Sequence, residues 1–172
     1  MTLIVRNLQL VRDRITTACV SAGRQPDSVR LLAVSKKFGV DAVLQAVSDG
    51  QRVFGENYIA EGVEKITATR AMLPAGIQLE WHCIGPVQSN KTRLVAEHFD
   101  WVQSIDRLKI AERLSEQRPT DLPPLQICIQ VNIDGGATKS GVAPEDAQAL
   151  AQDLKAAPPA VARTHGDSRA CS

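Results

Sequence analysis

The sequence predicts an α/β protein: a parallel sheet covered by helices, in the form of a (β/α)8 barrel reduced to about five βα units. Three observations predict it. Strand-like and helix-like segments alternate five times, with helices long enough to serve as crossovers. No dinucleotide fingerprint follows the first strand, since SKKFGV holds one glycine where that motif needs three. The fifth strand has a polar face whose Gln130 and Asn132 would line the wet mouth where barrel proteins keep their chemistry. A half-exposed edge strand gives the same alternation, so the open doubly wound sheet remains the alternative.

In chain order, Ile4, Leu8, Val11, Ile15 and Ala18 mark one face of a first helix, which Gly23 ends and Pro26 keeps from restarting. Val29 to Ser35 is the first strand. Val40, Val43, Leu44 and Val47 give a second helix stopped by Gly50, and Arg52–Gly55 a short strand. A third helix is expected from Glu56 to about Arg70, with Ile59, Val63 and Ile66 on one side. Leu79–Ile84 is the third strand, broken by Gly85-Pro86. A helix over Lys91–Phe99, a strand over Trp101–Ile105 and a helix over Arg107–Arg118 follow. Leu125–Ile133 is the fifth strand, and Pro144 opens a last helix carrying Ala147, Leu150, Ala151 and Leu154. Residues 1–157 are read as the partial barrel and residues 158–172 as an irregular tail without apolar period.

The formal net charge of +1 gives no global pull toward nucleic acid or an anionic membrane. No apolar run approaches the roughly 20 residues of a membrane span, and the N-terminus lacks the apolar core of a signal peptide, so a cytoplasmic protein is expected. Cys19, Cys83, Cys128 and Cys171 form no CxxC pair, which points to inert thiols rather than a metal or redox site.

Lysine at the end of an apolar strand is costly unless it is solvated, paired or covalently used. Period-two geometry puts Lys36 on the face of Leu32 and Val34 and turns Lys37 away. A partly buried amine there suits Schiff-base formation with an aldehyde. From spacing alone, a solvated loop lysine is the commoner explanation. Asn57 and Tyr58 offer neutral donors and acceptors after the second strand, with Glu56 expected as a plain first-turn carboxylate. His82 within the third strand is either a satisfied core residue or a member of the mouth.

The blocks VRLLAVSKK, QRVFGENY, LEWHCIGPVQSNK, FDWVQSIDR, QICIQVNI and TKSG, in this order and spacing, resemble the pyridoxal 5′-phosphate (PLP) homeostasis proteins of the YggS/PROSC type. That family is in turn similar to the N-terminal barrel of alanine racemase. The resemblance implies a PLP-binding protein of intracellular cofactor homeostasis, without turnover, in which Lys36 bonds the cofactor aldehyde. It places Asn57 near the pyridine ring and His82 at the same mouth. PLP-dependent apo-enzymes are candidate recipients, and a monomer is expected. The family's phosphate-binding loop belongs to a C-terminal third without counterpart here. An amino-acid racemase-like enzyme and a truncated product with impaired PLP binding are the alternatives.

Overall fold

The computed structural model describes residues 2–136, 139–156 and 161–163. Six helices and six strands alternate: α1 (Leu3–Ser21), β1 (Ala33–Val34), α2 (Val40–Ser48), β2 (Val53–Glu56), α3 (Ile59–Met72) and β3 (Glu80–Cys83) come first. They are followed by α4 (Thr92–His98), β4 (Trp101–Ile105), α5 (Leu108–Gln117), β5 (Leu125–Ile129), α6 (Ala147–Ala156) and β6 (Val161–Arg163). The strands form one sheet in the order β1-β2-β3-β4-β5-β6, every pair parallel. Sequential order with every crossover on one side is the progression of a barrel wall. Among the described residues β1 and β6 do not pair, so the wall is an open arc.

The core lies between this arc and its helices. Phe54, Trp81, Cys83, Val102 and Ile127 face outward and pack with Val43, Val47, Ile66, Val95, Ile110 and Leu114 from the helices. Phe54 and Trp81 stand on paired positions with ring centroids 5.2 Å apart. Burial of side chains of this size contributes about 1.5–3 kcal/mol each before entropy is counted.

Three expectations need correction. The first strand is short because its partner is late: over Val29–Leu32 the neighbouring segment is still the α2–β2 turn. There the Gln51 side-chain amide, not a backbone ladder, donates to Leu31 O at 2.9 Å and to Val53 O at 2.7 Å. The fifth strand stops at Ile129 because the β4–β5 register shifts between Val102 and Ile105. Beyond that shift Val131 bridges the returning Val142 instead. Third, the stretch expected to be irregular contains β6, whose backbone pairs in parallel with Leu125–Ile127. Three strand residues just after Pro158-Pro159 are too few for alternation to show in sequence. The rest of that stretch lies outside the described residues, Cys171 included. No helix among the described residues is long and apolar enough to cross a membrane.

Candidate functional site

Register defines the interior face. Val34 pairs with Gly55, Gly55 with His82 and His82 with Trp101, so these four share the side opposite the helices. Lys36 stands two positions beyond Val34 at the carboxyl end of β1, and it is exposed rather than partly buried. Its neighbour Lys37 has a φ of 66°. Lys37 lines an outer groove of about 350 Å³ with Phe38, Glu61, Glu64 and Lys65, on the helix side of the sheet. Lys36 is not among the residues lining that groove.

Between β1 and the helices lies a polar cluster. Ser35 is buried; its Oγ donates to Glu56 Oε1 at 2.6 Å, and Lys65 Nζ donates to the same oxygen at 2.7 Å and to Ser35 O at 2.8 Å. Glu56 is therefore no first-turn carboxylate. It ends β2, its side chain fully buried, while α3 begins only at Ile59. Period-two geometry points Glu56 outward with Phe54, toward α3, where Lys65 waits. The signal for Lys65 was weak. It shares a helical stripe with Gly62 and Thr69, none of them aliphatic, so a search for apolar period passes over it.

Asn57 follows β2, half-buried, with its backbone carbonyl pressed against Gly85. A Cβ on Gly85 would lie 2.1 Å from Asn57 O. Ser104 Oγ donates to Gly85 O at 2.6 Å, so the ends of β2, β3 and β4 are tied at this point. On the interior face a Cβ at Gly55 would lie 2.6 Å from Leu32 Cδ2 and 3.2 Å from Ile84 Cδ1. Those two side chains close over the glycine and give the mouth an apolar floor.

His82 lies on the interior face in the same register row as Val34 and Gly55. It stacks on Trp101 at 5.2 Å, its Nδ1 accepts from Gln103 Nε2 at 2.9 Å, and its Nε2 lies 2.7 Å from Glu80 Oε1. An amide donor at Nδ1 leaves the proton on Nε2, facing the carboxylate. Burial pushes the imidazole pKa below its ordinary value, with Glu80 pulling the other way less strongly. Both ring nitrogens are thereby occupied within the wall. Burial pushes the Cys83 thiol up to about 12, which keeps it inert. Gln130 and Asn132 do not line an open mouth. Their side-chain amides donate to Ser140 O and Gly136 O and pin the loop after β5.

An open arc of parallel strands, each joined to the next through a helix, defines a protein of the (β/α) barrel class, with Lys36 in the turn after its first strand. The chain belongs to the alanine racemase N-terminal domain family, whose profile matches residues 7–166, and within it to the pyridoxal phosphate homeostasis proteins. It is 53% identical over 155 residues to the pyridoxal phosphate homeostasis protein of Haemophilus influenzae, which covers 90% of this chain and 64% of that protein. The Pseudomonas aeruginosa protein of the same name is 56% identical over 158 residues, 92% of this chain and 66% of that one. Among solved structures, PipY of Synechococcus elongatus with PLP bound superposes with a TM-score of 0.71 at 31% identity, covering 91% of this chain and 66% of that chain. The chain thus spans about two thirds of the length of these relatives.

Proposed function

We propose that this chain binds PLP as a Schiff base on Lys36 and serves cytoplasmic cofactor homeostasis without turnover of its own. The observation that carries the reading is the position of Lys36. It is an exposed amine in the turn that leaves the carboxyl end of β1, two residues past Val34, whose ladder partner is Gly55. The residues around it suit the group. Leu32 and Ile84 offer an apolar floor for a ring, Asn57 an amide at its rim, and His82 a rigid wall on the interior face. PLP, when bound, supplies an aldehyde and an electron-withdrawing ring. The protein's part is to hold and orient them beside the Lys36 amine. No described residue is assigned to the phosphate, whose partners are expected in the family's C-terminal third.

Absence of turnover is inferred from the acid–base groups. Racemisation needs an acid or base on each side of the substrate α-carbon. Tyr58, the only tyrosine in the chain, is 56% exposed just before α3, and both nitrogens of His82 are engaged. The test is to add PLP to the purified chain and follow Schiff-base absorbance, with Lys36→Ala alongside. Stoichiometric absorbance lost in the variant is expected, and equal absorbance in both refutes the assignment. D-alanine formed from L-alanine well above the Lys36→Ala level would establish the racemase instead.

A further inference from the structure

We propose that the buried Ser35–Glu56–Lys65 cluster is a positioning device that selects Lys36 over Lys37 as the amine that meets an aldehyde ligand. The proposal rests on the PLP reading above, and it concerns what makes one of two adjacent lysines the attachment point.

The two lysines are the central residues of a single turn. Phe38 N donates to Ser35 O at 3.0 Å, closing a four-residue turn over Lys36 and Lys37. Its third residue, Lys37, has a φ of 66°, the left-handed conformation that favours glycine and that disfavours a residue with a side chain. A relaxed turn would bring that φ to about −90° and rotate the peptide between the lysines, re-aiming both side chains. Something must hold the strained form.

Ser35, the first residue of the turn, is fixed at every polar atom it has. Its N–H donates to Gly55 O at 3.0 Å, which carries the ladder one residue past β1. Its Oγ donates to Glu56 Oε1, and its carbonyl, the acceptor that closes the turn, also takes the Lys65 ammonium. Lys65 is anchored in turn by Glu56, with Glu61 a further 3.6 Å away. The cluster is not what packing alone would choose. An ion pair with side chains 5% and 0% exposed costs more to desolvate than an apolar pair of the same volume. Glu56 Oε2 is moreover left without a hydrogen-bond partner among the described residues. A charged clamp that is poor for stability, placed on the residue preceding the amine, is explained by what it does to the turn. It keeps Lys37 in the outer groove beside Glu61 and Glu64 and leaves Lys36 exposed outside that groove.

The step that reports this is covalent. The neutral Nζ adds to the aldehyde carbon and one water leaves, so that C=N replaces C=O. Borohydride then delivers hydride to that carbon, and the resulting secondary amine survives digestion. Label on Lys36, Lys37 and the exposed reference Lys109 on α5 is then counted by mass spectrometry. The chain is compared with Ser35→Ala, with Ser35→Thr, which keeps the hydroxyl, and with the pair Glu56→Gln, Lys65→Met, which removes the charges together. The parent and Ser35→Thr should carry label on Lys36. In Ser35→Ala and the paired variant the Lys36-to-Lys37 ratio should fall about tenfold, the change expected from losing one charge-assisted hydrogen bond. An unchanged ratio in both overturns the clamp. So does label rising equally on Lys37 and Lys109, which would mean general loosening. A parent chain with no label on Lys36 overturns the PLP reading, and the clamp with it.

Discussion

Gly85 joins the ends of three strands, and its replacement by alanine isolates that role. Its backbone is not among those with positive φ, so space rather than conformational freedom requires glycine here. The added Cβ would lie 2.1 Å from Asn57 O, 2.8 Å from Asn57 C and 2.9 Å from Asn57 Cα. A carbon–oxygen contact needs about 3.3 Å, so the ends of β2 and β3 must part by roughly 1.2 Å. No flexible side chain is available to yield, because all three atoms are backbone. Overpacking of this kind costs about 1–3 kcal/mol. The Ser104 Oγ bond to Gly85 O is stretched by the same movement and adds about 1 kcal/mol. A loss of about 2–4 kcal/mol is therefore expected, against a whole-domain stability on the order of 5–15 kcal/mol. Urea unfolding of the parent and Gly85→Ala, followed by fluorescence of buried Trp81, measures it. Gly39→Ser is the control, since a Cβ there meets nothing within 4 Å at the N-cap of α2. Serine is favoured at such a cap, so the control should change stability by only a few tenths of a kcal/mol, in the stabilising direction. A Gly85→Ala midpoint equal to that of the parent would refute the steric account.

The charge pair and the histidine yield the remaining predictions. Lys65→Met alone leaves Glu56 charged, buried and unpaired, and should cost about 3–5 kcal/mol in urea unfolding. Adding Glu56→Gln should recover most of that loss, and additive effects of the two changes would refute direct coupling. His82, whose pKa is lowered from 6.5 mainly by burial, binds its proton more weakly folded than unfolded. Its contribution is fully present above pH 6.5 and is lost as pH falls through the lower folded value. Thermal unfolding followed from pH 7.5 downward should show destabilisation starting below 6.5, flattened in His82→Gln. The same slope in both proteins would assign it to other groups.

The helices were legible because their signal is internal to each segment: α2, α5 and α6 bury the faces that their period of 3.6 marks. Strand ends were less so, because a ladder is as long as its partner permits. Val29–Leu32 reads as strand, yet the chain beside it is still turning at Gln51. The fifth strand reads to Ile133, yet a register shift against the adjacent β4 ends its pairing at Ile129. Lys36 was singled out mainly through matched blocks, while the buried polar cluster beside it was not, for a geometric reason. In a parallel strand covered by helices, a residue that reaches the interior at the strand end has a neighbour that faces the helix layer. Here that neighbour is Ser35, and a polar residue there must find partners on the next strand and the helix that follows it. Glu56, ending β2, and Lys65, two turns into α3, occupy those places, 21 and 30 residues away in the chain. Neither belongs to an apolar pattern, and neither carries a charge unusual for a surface helix. What exposes them is the requirement itself: a buried serine beside a strand-end lysine obliges the next βα unit to supply polar atoms, and in this chain it supplies an ion pair.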